Sequence, residues 1–551
     1  MSDESLSRRA FVGVSATIAA GVLTNGDGLP LHRVDGLAPT PQKAPATAPL
    51  DELTITELQE GLAAGKYTAR SLVEQYQARI ESMDKQGPTL NHVLEINPDA
   101  LMIADQRDTE RKGGRVTPGP LHGIPILIKD NIDTADRMHT SAGSLALASS
   151  TPSRDSWVAE RLRAAGAVIL GKTNLSEWAN IRSTHSSSGW SGRGGQGKNP
   201  YALDRNTSGS SSGSAGAAAA SYCAAAIGSE TDGSVTSPSA ACGLVGIKPT
   251  VGLIGRSGII PISHSQDTAG PMARTVRDAA ILLGALTGVD ARDEATKASA
   301  GKSYTDYTRF LDANGLRGAR IGIAREAFMG YSPKTDKVME EAIALLKHSG
   351  ATIVDPANIA TANKFGDAEF DVLLYELKAD LNAYLESLGP AAPYKSLADI
   401  IKFNEENAAR EMPYFGQEIF YMAQKKGPLT ETKYRQARAK CIRMARTDGI
   451  DATMTKHRLD ALVAPTQGPV WLIDLVNGDG GGGGSFTQPA AVAGYPHITV
   501  PMGFVQGLPV GLSFVGRAWS EPTLLKLAYG YEQASKARRP PTFAASVRDV
   551  G

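Results

Sequence analysis

The chain of 551 residues has no excess of charge: Lys and Arg total 57, and so do Asp and Glu. A net charge of zero gives no electrostatic basis for binding nucleic acid or an anionic surface. Cysteine is scarce. Cys223, Cys242 and Cys441 allow at most one disulfide, and an odd count without C-x-x-C spacing argues against a disulfide framework or a zinc site. Cys223, in a run of small residues that reads as a helix, and Cys242, near a turn, read as core side chains, not nucleophiles. A long apolar run is missing too: the stretch from Val12 to Leu23 is too short to span a bilayer as a stable helix.

What is present is ordinary globular composition, 42% hydrophobic and 21% charged, with ample length for a large core. The length allows two to four domains, or one large α/β domain. Arg8-Arg9, followed by Phe11 and the run to Leu23, resembles a twin-arginine export signal, which predicts a periplasmic or extracellular protein without stable membrane insertion. The plainer reading is a frayed cytoplasmic N-terminus that happens to hold two arginines. Residues 25–49, rich in Pro, Ala and Thr, read as a disordered spacer. The expected division is therefore 1–49 for signal and spacer and 50–545 for one folded domain.

Order should begin near Leu53, where Thr54-x-x-Glu57 forms a capping box. Spacing predicts a helix over 69–83, a strand over 91–96 and a helix over 99–112. Ile124 to Ile128 reads as a buried strand ended by Lys129, and 156–173 as a helix followed by a strand. Strands are expected again at 319–326 and 459–465, a helix at 334–348, and a helical, more charged segment over 357–457 holding Tyr375, Tyr384, Phe415 and Tyr421. Two late strands, in AVAGYPHITVPMG and LPVGLSFVGRAW, are expected as edges of a large mixed sheet, and Gly480 to Gly484 as a mobile loop near the cleft.

Two nucleotide-like patterns fail on context. Gly192-x-Gly194-x-x-Gly197 lies in a polar loop with no strand before it and no helix after it, and AGKS at 300–303 lacks the glycine that a phosphate loop needs at position 296, where Thr296 stands.

The most informative stretch runs from Thr207 to Thr250 and is mostly Gly, Ser and Ala. A flexible linker shares that bias. It would not hold the apolar segment Ala215 to Ile227 between two serine-glycine knots. That segment reads as a buried helix of small residues, and the knots as tight turns with main-chain N–H groups free to face a ligand.

SGSSSGS at 208–214, GSETDGS at 228–234 and GLVGIKPTVGLIGRSG at 243–258 resemble the amidase signature family, as does HGIPILIKDN at 122–131. The resemblance covers roughly residues 50 to 540. The usual forms are GGSSGGS and GTDTGGS, so this chain departs at Ser208, Ser212, Glu230 and Asp232; the variants are similar to the peptide-amidase branch, which removes the C-terminal amide of peptides. The resemblance implies an α/β fold with a large mixed, twisted sheet flanked by helices on both faces, and a helical portion near 357–457 covering the cleft. It implies an amidase that cleaves a carboxamide C–N bond through an acyl-enzyme, without metal or cofactor. The substrate would be a peptide C-terminal amide or a small aliphatic, aryl or acyl amide.

Residue by residue, the resemblance makes Ser234 the nucleophile, Ser210 the bridging serine on a cis peptide bond, and Lys129 the base. The backbone N–H groups of Thr231, Asp232, Gly233 and Ser234 would form the oxyanion hole. Ser265, Asp267 and Arg274 would brace the active-site backbone. A lysine titrates near about 10.4, so at neutral pH roughly one in a few thousand would be neutral. A lysine base must therefore be buried, with a pKa of about 7–8, and Asp130 must point elsewhere.

Each residue also has a plainer reading. Lone serines in such clusters cap helices and turns, and a lysine ending an apolar strand snorkels to the surface. Gly209-x-Ser211-x-Gly213 matches a nucleophile elbow, which leaves a Ser-His-Asp hydrolase as a rival, although no strand is expected before Ser211. An amidotransferase A subunit and a catalytically dead binding protein of the same fold are two further rivals.

Overall fold

The computed structural model describes residues 50–114, 117–390, 392–480 and 484–549. The export-signal and spacer readings at 1–49, and the middle of the five-glycine run, lie outside the described residues.

Among the described residues, eleven strands form one mixed sheet. They are β1 (Val93–Ile96), β2 (Pro125–Lys129), β3 (Val168–Thr173), β6 (Ala225–Glu230), β7 (Val245–Lys248), β8 (Thr268–Ala273), β9 (Arg320–Ile323), β10 (Thr352–Val354), β11 (Ala461–Pro465), β12 (His497–Val505) and β13 (Leu508–Val515). A separate hairpin joins β4 (Trp190–Ser191) to β5 (Gly195–Gln196). The order across the large sheet is β1-β3-β2-β6-β8-β7-β12-β13-β11-β9-β10. Strand β2 lies parallel to both β3 and β6, and β9 lies parallel to both β10 and β11. The strands between these two parallel blocks pair antiparallel.

Every residue of β2, β3, β6, β8 and β13 is buried. Successive side chains of a strand face opposite ways, so wholly buried strands require cover on both faces of the sheet. Helices provide it. Trp157–Ala164 links β2 to β3 and is capped by Ser156, and Pro333–His348 links β9 to β10 with Ser332 as cap and Pro333 in its first turn. The Thr54–Glu57 capping box forms as expected.

Three expectations need correction. The segment 215–227 is not one helix: a helix spans Ser212–Ala219, the chain turns at Ser221 with φ 56°, and Ala225 already belongs to β6. Runs of Ala fit a buried strand as well as a helix, and apolar composition alone does not separate them. Cys223 accordingly lies in the turn and not in the helix. Strands β12 and β13 are not edges. They sit inside the sheet between β7 and β11, joined through Gln506 and Gly507, both at positive φ, as a tight hairpin turn requires. The actual edges are β1 and β10, both short.

The 357–457 segment is helical as expected, with its longest helix at Gly366–Ser387. That helix shares an apolar cluster with Trp178, Ile260 and Ile262, which seats it over the loops that follow β3 and β7.

Candidate active site

Parallel strands end at the same edge of a sheet, and this is what brings the key residues together. Strand β2 ends at Lys129, and Ser229 and Glu230 end its parallel neighbour β6. The helix Ser212–Ala219 packs on these strands so closely that only small residues fit. A Cβ added at Gly228 of β6 would stand 2.6 Å from Ser211 Oγ, at the start of the helix, and one at Gly216 would stand 2.0 Å from His92 Nε2, in the segment before β1. The turn that starts this helix delivers Ser210 over Lys129.

Lys129 Nζ donates to Ser210 Oγ at 2.8 Å, to Ser229 Oγ at 3.0 Å and to the Ser229 carbonyl at 3.2 Å. The Gly209–Ser210 peptide is cis. Lys129 is fully buried, Ser210 is 1% exposed and Ser234 is 8% exposed. Exposure thus rises from lysine to Ser234, the member that best meets solvent. Ser210 and Ser234 both line a cavity of about 670 Å³, with Thr231, Asp232, Gln467 and Trp471 among its other walls. A smaller cavity of about 200 Å³ lies behind Thr231 and reaches Asn131 and Asp267.

Burial holds the Lys129 ammonium down to about 7, against the opposing pull of the Asp267 and Glu230 carboxylates. Asp130 turns away, as the sequence requires: it accepts from Ser141 Oγ, from the Gly143 N–H at 3.1 Å and from Arg193 at 3.3 Å.

The loop from Thr231 to Ser234 is fixed from both ends. Glu230, wholly buried, accepts the Val235 and Thr236 N–H groups at 2.8 and 2.9 Å, closing the chain around Ser234. Thr231 Oγ1 donates to Asp267 at 2.6 Å, and the other Asp267 oxygen takes the N–H groups of Ile262 and Ser263 at 2.8 Å each. Gly233 adopts φ 81°, which a side chain would strain, and a Cβ there would meet Ser237 Oγ at 2.9 Å.

Ser211 has a structural role. Its N–H donates to the Ser234 carbonyl at 3.1 Å, and its hydroxyl donates to the Ser229 carbonyl at 3.1 Å while accepting the Ser229 N–H at 3.2 Å. Among the described residues, no histidine hydrogen-bonds Ser210, Ser211 or Ser234, and no strand leads into Ser211. The nucleophile-elbow reading has neither its base nor its strand.

Of the residues expected to brace the site, Asp267 holds Thr231 directly. Arg274 holds the turn before β6, donating to the carbonyls of Ala218 at 2.8 Å and Cys223 at 3.0 Å. Ser265 instead bonds Glu376 on the long helix at 2.6 Å. The four aromatic residues noted in the helical segment pack elsewhere: Tyr375 on Glu431, Tyr384 on Asp133, Phe415 on Trp190 and Arg182, Tyr421 on Glu405. Among the described residues of that segment, Leu373 reaches the large cavity. Sequence reasoning missed Ser229 as a neighbour of the lysine and Asn131 as a partner of Ser229. The spacing KDN at 129–131 and the serine inside GSETDGS were visible, but nothing local showed that they meet.

The fold is that of an amidase. The family model Amidase matches residues 71–525, and the chain belongs to that family, the amidase signature family; it is a hydrolase acting on amide bonds. A probable amidase of Arabidopsis thaliana is 41% identical over 508 residues, covering 91% of this chain and 93% of the relative. Among solved structures, the peptide amidase PAM in complex with the competitive inhibitor chymostatin is 50% identical, with a TM-score of 0.87 over 90% of this chain and 99% of that one. The native peptide amidase from Stenotrophomonas maltophilia is 49% identical, with a TM-score of 0.85 over 90% and 100%.

Proposed function

We propose that this amidase removes the C-terminal amide of peptides through Ser234, Ser210 and Lys129. The observation that carries the mechanism is the 2.8 Å hydrogen bond between a buried Lys129 and Ser210, on the wall of the cavity that Ser234 faces. The likeness to peptide amidases at half identity over nearly the whole chain supports the substrate class.

In this reading neutral Lys129 takes the Ser210 proton as Ser210 takes that of Ser234, and Ser234 Oγ attacks the amide carbonyl. The oxyanion meets the backbone N–H groups of Thr231, Asp232, Gly233 and Ser234, which Glu230 and Asp267 hold in place; losing one such donor typically raises the barrier by about 2.7–4 kcal/mol. The proton returns through Ser210 to the leaving nitrogen, ammonia departs, and water cleaves the acyl-enzyme by the same relay. Export by the twin-arginine route belongs to this proposal and rests on Arg8-Arg9 and the apolar run after them. Among the described residues no helix is long and apolar enough to cross a membrane. Fractionation of cells expressing the full chain and an Arg8→Lys, Arg9→Lys variant tests the route; equal export of both defeats it.

The direct test is ammonia release from an amidated dipeptide, a simple aliphatic amide and an aryl amide, with the free-acid dipeptide as blank. Wild type and Ser234→Ala are compared. Release from the amidated dipeptide, lost in Ser234→Ala, is the expected result. Activity on the small amides alone would overturn the substrate, and activity surviving Ser234→Ala would overturn the nucleophile.

A further inference from the structure

A neutral primary amine has two N–H hydrogens and one lone pair, whereas an ammonium has three hydrogens and none. Lys129 Nζ meets three oxygens: Ser210 Oγ, Ser229 Oγ and the Ser229 carbonyl. To take a proton from Ser210, the amine must aim its lone pair there and place both hydrogens elsewhere. Ser229 offers two acceptors for them from a single residue. When the amine becomes an ammonium, its three hydrogens point at the same three oxygens. The group can gain and lose its proton without moving.

Ser229 is itself held on two sides. Ser211 clamps its backbone through the N–H and the carbonyl. Asn131, 2% exposed, donates from Nδ2 to Ser229 Oγ at 2.9 Å. The amide N–H occupies one lone pair of that hydroxyl and leaves the other for the lysine. Asn131 lies two residues beyond Lys129, just past the end of β2, and so starts from the same rigid frame.

We propose that Ser229 and Asn131 are positioning residues for the base: Ser229 takes both hydrogens of the neutral Lys129 amine so that its lone pair faces Ser210, and Asn131 holds the Ser229 hydroxyl in place. This rests on the reading of Lys129 as the base. The proton passes from Ser210 Oγ to Lys129 Nζ and back along one hydrogen bond; none passes through Ser229 or Asn131, which remain neutral.

The test is the pH dependence of kcat and KM for Ser229→Ala, Ser229→Thr and Asn131→Ala, on the best substrate of the panel above, with Lys129→Ala as reference. Ser229→Ala is expected to lower kcat roughly 10- to 100-fold with KM within about twofold. Its acid limb should move to lower pH, because an acceptor that favours the ammonium is gone. Ser229→Thr keeps the hydroxyl and should restore both kcat and the limb. Asn131→Ala should follow Ser229→Ala to a smaller extent. A Ser229→Ala enzyme with wild-type kcat and limb, beside an inactive Lys129→Ala, overturns this inference and leaves the base intact. An active Lys129→Ala overturns the base reading itself. If Ser229→Ala does not fold, Asn131→Ala decides, since it leaves Ser229 itself in place; an unmoved limb and kcat there reject the proposal.

Discussion

Asp130 follows Lys129 directly in the chain and turns its carboxylate the opposite way, onto Ser141, the Gly143 N–H and Arg193. Consecutive residues at a strand end face opposite sides, so the nearest acid in sequence is kept off the lysine. The carboxylates that do act on Lys129 are Asp267 and Glu230, and burial outweighs both.

The activity should therefore rise with pH through about 7, as Lys129 loses its proton, and level off above. Asp267→Asn removes the charge that most favours the ammonium while leaving oxygen and nitrogen for Thr231, Ile262 and Ser263. The acid limb of kcat/KM should shift to lower pH in this variant. A limb that stays in place, or moves up, would mean that Asp267 does not act on the lysine.

Stability should carry the opposite mark of the same burial. Lys129 titrates near 7 when folded and near about 10.4 when unfolded. Between these values the unfolded chain binds a proton that the native chain does not, so stability rises with pH across that window, and the penalty is complete below it. Its size is on the order of a few kcal/mol. Lys129→Met should abolish hydrolysis and flatten the rise between pH 7 and 10 in denaturant titrations. An unchanged slope would show that the lysine is not buried as drawn.

Glu230 closes the Ser234 loop and supplies the largest attraction to the buried Lys248 ammonium, which burial lowers to about 8. Glu230→Ala frees two buried N–H groups and leaves that ammonium with less compensation. A loss of about 1–3 kcal/mol for each freed N–H group is expected from urea unfolding, the cost of leaving a buried donor unpaired, together with a marked fall in kcat. Full stability with full activity would remove Glu230 from the account of the loop.

All three cysteines are buried, and burial pushes the Cys223 thiol up to about 12 and raises that of Cys242 as well. Thiolates are the reactive form. Ellman's reagent should therefore find no fast thiol and cause no inactivation of the folded enzyme, and should titrate three thiols in denaturant. Dithiothreitol should leave the melting temperature unchanged. Rapid labelling of the native protein would contradict this burial.

Local sequence by itself determined a good deal. The apolar run before Lys129 specified a buried strand with a lysine at its end, the two late strands were readable from their apolar runs, and the Thr54–Glu57 box because its interactions lie within a few residues. The three motifs placed Lys129, Ser210 and Ser234 as candidates through resemblance, and the burial required of a lysine base followed from its ordinary pKa alone. Order along the sheet was not readable: a wholly buried strand shows no alternation that tells centre from edge, and so β12 and β13 were expected at the rim. Nor was the split of 215–227 into helix and strand, because small apolar residues suit either when both faces are covered. Tertiary structure alone decided that Ser229 meets the lysine and Asn131 meets Ser229, that Ser211 braces the site, and that Leu373 and not the aromatic residues of its segment reaches the cavity. These are contacts between segments distant in the chain, or choices of side-chain direction, and they exist only once parallel strands end at one edge and a close-packed helix settles over them.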